Sequence, residues 1–220
     1  MRKYLVTAPT VEPLEIDELG LHLRLSDDAL DTEGALLSGL IMSARQQAEK
    51  ILNRVLITQT WEMKLSRWWR YNRDPYFTTN YGPNLYWPNP REYQAFNGIR
   101  IELPVLGVQS VTSITYIDPN QVTQTLAPNQ YQLAGQENGS IIPAYGVTWP
   151  DVLPFYEVIT VRWVAGYGDA AADVPQPIKQ WMLLQIGNMY ENREAMSIGQ
   201  IVSPLPFADG LLAPYILHQA

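Results

Sequence analysis

The feature of the sequence that most constrains the fold is the succession of a strand, a glycine turn, a proline-bearing hinge and a helix between residues 158 and 194. Residues 158–165 are rich in β-branched and aromatic side chains, which favours a strand. Pro177 suits the first turn of a helix, because its missing N–H would have no partner there. From Ile178 onward, apolar residues recur at intervals of three and four and cover more than one helix face. The pattern predicts the last core helix of a domain, and it contains no residues arranged for catalysis.

Two more helices are predicted near the N-terminus. An extended arm over residues 5–13, which contains two prolines, precedes a short helix over residues 15–23 whose first turn is acidic, as the helix dipole favours. A polar link then leads to a long helix, capped by Asp31 or Thr32, that ends at about residue 54. Its apolar residues form a stripe of helical period, so this helix also contributes to a core.

Between the second and the last helix, short runs of β-branched and aromatic residues alternate with turn signals. Asn138-Gly139 is a strong hairpin signal, because both residues tolerate the positive φ that the favoured turn requires. Six or seven short strands of this kind predict a small antiparallel sandwich or barrel. The predicted fold class is therefore α+β: a small helical body (two N-terminal helices plus one C-terminal helix) interrupted by an inserted antiparallel β-sandwich or barrel module, with an extended N-terminal arm and a C-terminal tail.

This pattern divides the chain into three parts. Residues 1–55 form the arm and two helices. Residues 56–165 form the β-module, which includes an aromatic loop over residues 67–98. Residues 166–220 form the C-terminal helix and a tail, and they complete the helical body.

Composition excludes several classes of function. The chain has 220 residues and no cysteine, which excludes disulfides, thiolate nucleophiles and most structural zinc sites. The two histidines lie far apart in the sequence, so neither a metal nor another cofactor is expected. The N-terminus reaches a proline before a signal-peptide core can form, and no apolar run approaches the roughly 20 residues that span a bilayer. We therefore expect a soluble protein made in a reducing cytoplasm, with no membrane partner.

Charge is spread unevenly along the chain. The net charge of −7 divides into −3 for residues 1–60, +3 for residues 61–100 and −7 for residues 101–220. An acidic body argues against general binding of duplex DNA, for which lysine and arginine neutralise phosphates. It is compatible with DNA that passes close by without being held.

One motif resembles a cofactor site. Residues 166–171 read Gly-Tyr-Gly-Asp-Ala-Ala after a strand, which fits the dinucleotide fingerprint. That fingerprint needs a helix to begin at the glycines, whereas Pro175 and Pro177 delay the helix here. The motif therefore predicts a tight turn. We find no catalytic set, and we expect that the chain is not an enzyme, although a hydrolase with two carboxylates far apart in the sequence stays an open alternative.

The stretch over residues 67–98 has about ten aromatic residues among arginines. Such residues are enriched at the centres of protein interfaces, which is the interpretation that we favour. Inward packing comes second. A platform for a sugar or for single-stranded nucleic acid is the third interpretation, since aromatic side chains stack on bases.

Several segments, taken in order along the chain, carry a family resemblance: Pro13 to Arg24, the polar link before the second helix, Ile57 to Trp61, Val108 to Ile114, Ala165 to Gly168, Val174 to Gln180 and Tyr190 to Glu194. Together they resemble the head–tail connector (adaptor) proteins of long-tailed bacteriophages and gene transfer agents. The likeness covers most of the chain, but residues 67–98 are longer and more aromatic than that family leads us to expect.

The resemblance implies a structural virion protein that is made in the host bacterial cytoplasm and lies in the neck, at the head–tail interface. Copies would form a ring, usually of twelve, beneath the portal protein. The ring would extend the DNA channel, let DNA pass through its lumen without specific binding, and offer an attachment surface to the next head-completion (stopper) or tail protein.

Eight residues are predicted to contribute to protein interfaces, four in the aromatic loop and four in the hydrophobic tail, which would reach the portal or an adjacent subunit. The alternative function is a carbohydrate-binding β-module that uses the aromatic loop. The predicted interface residues are Trp68, Trp69, Tyr71, Trp87, Phe207, Leu211, Leu212 and Tyr215.

Overall fold

A computed structural model of the chain describes residues 2–68, 100–135, 139–192 and 210–217. Within these ranges it contains three α-helices and eight β-strands, which confirms the α+β fold class. The helices are α1 (Ile16–Leu23), α2 (Asp27–Leu52) and α3 (Gln176–Glu191). After an N-terminal strand that was not predicted, the order helix, helix, strands, helix is the predicted one.

Helix α2 begins earlier than the sequence pattern indicated. Ser26, and not Asp31 or Thr32, is its N-cap residue, so most of the predicted polar link forms the first turns of the helix. Asp27 and Asp28 lie in the first turn, where negative charge interacts favourably with the helix dipole. The prediction was wrong because several acidic residues in a row fit a helix start as well as they fit a solvated link.

Five strands form the larger sheet, in the order β1-β2-β8-β4-β5, and every neighbouring pair is antiparallel. In β8, alternate residues are buried and half-buried, so one face of this sheet packs into a core. These strands are β1 (Arg2–Thr7), β2 (Gln59–Leu65), β4 (Val108–Ile117), β5 (Thr123–Thr125) and β8 (Ile159–Ala165).

Three short strands form a second antiparallel sheet, in the order β3-β7-β6. They are β3 (Ile101–Glu102), β6 (Tyr131–Ala134) and β7 (Ser140–Pro143). Ile101 and Ile141 of this sheet share a core with Met63 and Trp163 of the larger one. The β region therefore has the two packed layers of a sandwich, as predicted.

The N-terminal arm differs from the prediction in its first half. Residues 2–7 form β1, an edge strand that pairs with β2 in the register Lys3 to Met63 and Leu5 to Trp61. All six residues are exposed, so pairing with β2 holds the strand while little of its side-chain surface is covered. The arm is extended, but in this structure it belongs to the sheet.

The described residues form two clusters of buried side chains. The helical core contains residues of α1, α2 and α3, with Trp181 and Leu37 among its largest members. The β core lies between the two sheets and is centred on Trp163. Both cores receive residues from the stretch between α2 and β2, because Val55 packs in the β core whereas Leu56 and Ile57 pack in the helical core.

A glycine turn after β8 joins the two cores through backbone hydrogen bonds. The N–H of Tyr167 donates to the carbonyl of Leu56 (3.0 Å), and the N–H of Thr58 donates to the carbonyl of Gly168 (2.9 Å). The N–H of Gly166 donates to the carbonyl of Gly107 (3.0 Å). Gly166 has φ 141°, a conformation that favours glycine, and the predicted tight turn is therefore present.

Candidate interaction surfaces

Trp68 stands at the start of the aromatic loop and packs against its own chain. Its ring stacks on Trp149, with 4.7 Å between centroids, and lies at a tilt to Tyr116 at 6.1 Å. Its indole N–H donates to the carbonyl of Pro150 (2.7 Å). One ring face and the polar group of Trp68 are thus already used within the chain, as the inward-packing interpretation of the loop predicted.

The other loop residues predicted at an interface, Trp69, Tyr71 and Trp87, lie outside the described residues, and so does Phe207 of the tail. Their assignment to an interface stays a prediction.

The described part of the tail packs on the chain's own helical core. Leu212 is 1% exposed and belongs to that core, while Leu211 and Tyr215 pack against it and are partly exposed. The N–H of Leu217 donates to the carbonyl of Leu52, the last residue of α2 (3.0 Å). This part of the tail contains a short 3-10 helix, Ala213–Tyr215. In this structure Leu212 is therefore a core residue of its own chain, while Leu211 and Tyr215 are partly exposed, and their assignment to an interface stays a prediction.

We expect that Leu212→Ala lowers the free energy of unfolding by about 2 to 3 kcal/mol, because a buried leucine is removed and a cavity is left. Urea denaturation followed by tryptophan fluorescence would measure this change. The matched control is Leu211→Ala, whose side chain is only partly buried, and we expect it to cost less than about 1 kcal/mol. Equal effects of the two substitutions would contradict the packing of the tail on the helical core.

A second group of aromatic residues, which the sequence analysis did not select, is exposed between β7 and β8. Tyr145 is fully exposed, and Phe155 and Tyr156 are 68% and 81% exposed. Phe155 and Tyr156 contact each other edge to face, with 6.2 Å between ring centroids. Exposed aromatic pairs are a frequent element of protein interfaces. Their segment contains prolines and lacks strand alternation, but the same is true around Trp149, which is stacked on Trp68, so the sequence alone did not distinguish the exposed aromatics.

A buried ionic cluster fixes the segment before α1 onto α2. Arg45 of α2 is 6% exposed. Its guanidinium donates to both carboxylate oxygens of Glu12 (2.7 and 3.3 Å) and to Glu49 (3.1 Å). The other oxygen of Glu49 accepts the N–H of Leu56 (3.0 Å) and the amide of Gln59 (2.9 Å). The cluster thus links the N-terminal segment, α2 and the start of β2.

Burial and ion pairing shift the pKa values of Arg45 and Glu49 in opposite directions. Burial by itself would lower the pKa of Arg45, but its hydrogen bonds to Glu12 and Glu49 and their charges outweigh burial, and the pKa of Arg45 is raised. For Glu49, burial dominates over the hydrogen bonds from Leu56, Arg45 and Gln59, and its pKa is raised. Every polar group is accounted for within the chain, so we assign the cluster a structural role.

The described residues contain neither a metal-binding group nor a dinucleotide-binding turn. Among them, no group of three or more histidine, cysteine, aspartate or glutamate side chains could hold a metal ion. The Gly166 turn leads into a 3-10 helix at Ala171–Asp173 and reaches α3 only at Gln176, so the glycines do not stand at a helix N-terminus as a dinucleotide site requires. A search of the described residues for a helix long and apolar enough to cross a membrane finds none.

The chain was compared with known proteins. No family model matches it, and no curated protein matches its sequence. Among solved structures, the neck of an empty gene transfer agent (GTA) particle computed with C6 symmetry contains a chain of the same fold. The TM-score is 0.72 at 23% sequence identity, and the match covers 100% of this chain and 97% of that chain. The chain has the fold of a GTA neck protein.

Two further structures support the same assignment of the fold. A chain in the virion of the native GTA particle matches with a TM-score of 0.70 and 22% identity, and one in the neck of the native particle computed with C12 symmetry matches with a TM-score of 0.66 and 21% identity. Each match covers 100% of this chain and 97% of the other. The neck-protein fold therefore includes both the helical core and the β core, which confirms at the level of fold the resemblance derived from the sequence.

Proposed function

We propose that the protein is a structural component of the neck of a phage-like or gene transfer agent particle, and that copies of it form a ring beneath the portal. The observation that carries this proposal is the likeness in fold along the whole chain to a chain of the GTA neck. Two of the similar structures were computed with C6 and C12 symmetry, which supports a cyclic arrangement of copies. A ring of this kind needs one heterologous contact, repeated between successive copies until it closes.

In the finer form of the proposal, the protein is an adaptor. Its ring extends the DNA channel of the portal and offers an attachment surface to the next head-completion or tail protein. The helical core forms the inner body of the ring and the β core projects outward. The net charge of −7 supports a conduit that does not hold DNA, because an acidic wall repels phosphates.

The same reasoning supports a role without catalysis. The buried Arg45 and the partly buried Glu49 are paired with each other and with groups of their own chain. The described residues therefore support a role in folding stability and in assembly.

The carbohydrate-binding alternative gains no support from Trp68, the described aromatic residue at the start of the loop. One face of this ring lies on Trp149 at an interplanar angle of 11°, so that face is closed to a sugar. The other aromatic residues of the loop lie outside the described residues, and the alternative is tested by loss of glycan binding in Trp87→Ala.

We expect the purified protein, mixed with the portal protein, to form a complex whose neck-side ring shows the rotational symmetry of the portal. Native mass spectrometry would count the copies, and negative-stain class averages would show the symmetry. The portal alone and the protein alone are the controls. In a mobility-shift assay at physiological salt, the ring should leave duplex DNA unshifted. A protein that stays single at every concentration, ignores the portal and is missing from purified particles would contradict the proposed function.

A further inference from the structure

Two edges of the larger sheet are open in the described structure. Strand β1 pairs with β2 on one side, and no described strand covers its other side. At the opposite flank, β5 pairs only with residues 115–117 of β4. The stretch of β4 before Ile114 therefore pairs with β8 alone, and Gln109, Ser110 and Thr112 of this stretch are exposed. Backbone groups at such edges are free to pair with another strand.

The two open edges lie at the same level of the sheet. Leu5 of β1 pairs with Trp61, Trp61 pairs with Trp163, and Trp163 pairs with Val111 of β4. Because three successive pairs are antiparallel, β1 and β4 run in opposite directions. The directions of the two strands therefore allow β1 of one copy to form an antiparallel pair with β4 of another. In that pair Leu5 would lie opposite Val111, on the same face of the sheet.

We propose that β1 of one copy pairs with the open edge of β4 in the next copy of the same chain, which makes strand pairing the repeated contact of the ring. The inference rests on the proposed ring. Rotation about a ring axis brings opposite flanks of neighbouring copies together without a change in height. The open edges of β1 and β4 lie on opposite flanks of one sheet, at the same level, and their strands run in opposite directions. If the strands lie along the ring axis, rotation therefore brings β1 of one copy beside β4 of the next.

Charge is compatible with this pairing. Strand β1 carries Arg2 and Lys3, Lys64 lies opposite Arg2 on β2, and Arg2 forms an ion pair with Glu157 (3.8 Å). Strand β4 has no charged residue between Val108 and Ile117, so it receives β1 without like-charge repulsion.

Apolar surface also favours a strand partner for β1. Tyr4, Leu5 and Val6 are 40%, 47% and 46% exposed, and Val111 of the acceptor edge is only partly buried. Pairing would cover Leu5 and Val111 against each other, and cross-strand apolar pairs stabilise a sheet.

Two irregularities in β4 limit how long the pairing can be. The register of β4 with β8 shifts between Val108 and Ser110 and again between Val111 and Ser113. Bulges of this kind hinder the addition of arbitrary strands to an edge. The contact is therefore short, centred on Val111, and supported by the closure of the ring.

Cysteine cross-linking tests this pairing, because the native chain contains no cysteine. Directly opposite residues of an antiparallel pair have Cα atoms about 4.5–5.5 Å apart, a separation that a disulfide accepts. We expect the double variant Leu5→Cys/Val111→Cys to give a ladder of covalent oligomers under mild oxidation, on non-reducing gels. An equal mixture of the two single variants should give covalent dimers, and each single variant alone should stay monomeric on the gel.

The matched control pairs Leu5→Cys with Met42→Cys on α2, whose side chain is as exposed as that of Leu5. We expect this pair to give less than a tenth of the cross-linking. Dimers of Leu5→Cys alone would show two-fold pairing of β1 and would overturn the inference, as would equal cross-linking through Met42→Cys. Symmetric rings of the double variant that show no covalent ladder would overturn this contact while leaving the proposed function intact. Failure of the protein to form rings, with or without the portal, would overturn both.

Discussion

Replacing Gly166 with alanine is expected to lower the free energy of unfolding by about 3 to 5 kcal/mol. A positive φ of 141° strains any residue with a side chain, at a cost of about 1–3 kcal/mol. An added Cβ would also lie 2.7 Å from the backbone nitrogen of Thr58 and 2.8 Å from the carbonyl carbon of Ile57. These are backbone atoms held by hydrogen bonds between the two cores, so relief requires a shift of the junction, and overpacking of this kind costs about 1–3 kcal/mol more.

Chemical denaturation of the variant, followed by fluorescence and circular dichroism, would measure this loss. The control is Gly39→Ala on an exposed part of α2, where an added Cβ meets no atom within 4 Å. Alanine is the better helix former by about 1 kcal/mol, so this substitution should stabilise the protein. If Gly166→Ala proved as harmless as Gly39→Ala, the close approach of the turn to residues 57 and 58 would be refuted.

Local sequence patterns were sufficient to predict α3 and β8. The apolar stripe after Pro177 predicted α3, and the β-branched and aromatic residues over 158–165 predicted β8 to within one residue, because the residue types that suit an element leave a direct trace in the sequence. Pairing partners leave no such trace. Residues 2–7 pair with a strand that begins at Gln59, and the sequence of residues 2–7 alone does not indicate this partner.

The same distinction applies to the candidate interfaces. Composition selected Leu212 as a docking residue, and it does dock, but on its own helical core. An apolar tail has the same composition whether it packs on its own chain or on another. Trp68 is a similar case, since only the fold places Trp149 against it. Conversely, Phe155 and Tyr156 are exposed because no described residue covers them, and a short segment of sequence does not reveal this.

Replacement of Arg45, the buried cation of α2, is expected to have the second large effect on stability. We expect Arg45→Met to lower the free energy of unfolding by about 3 to 5 kcal/mol at neutral pH, because breaking a buried ionic cluster leaves a charge without compensation. Glu49 would be the group most affected, since its side chain is only 13% exposed. The exposed pair Arg2–Glu157 is the control, and Arg2→Met should cost less than about 1 kcal/mol, because the two side chains are 75% and 37% exposed.

The pH dependence distinguishes loss of charge pairing from loss of packing. Burial already raises the pKa of Glu49 above its ordinary value of 4.5, and the loss of Arg45 should raise it further. A carboxyl group whose folded pKa is raised favours the folded state most below its ordinary value, and this advantage is lost as the pH rises through the folded pKa. The loss in free energy of unfolding that Arg45→Met causes should therefore be smallest near pH 5 and largest near pH 8. Urea titrations at several pH values would measure this loss, and a loss that is independent of pH would contradict the stabilising role of the Arg45–Glu49 pair.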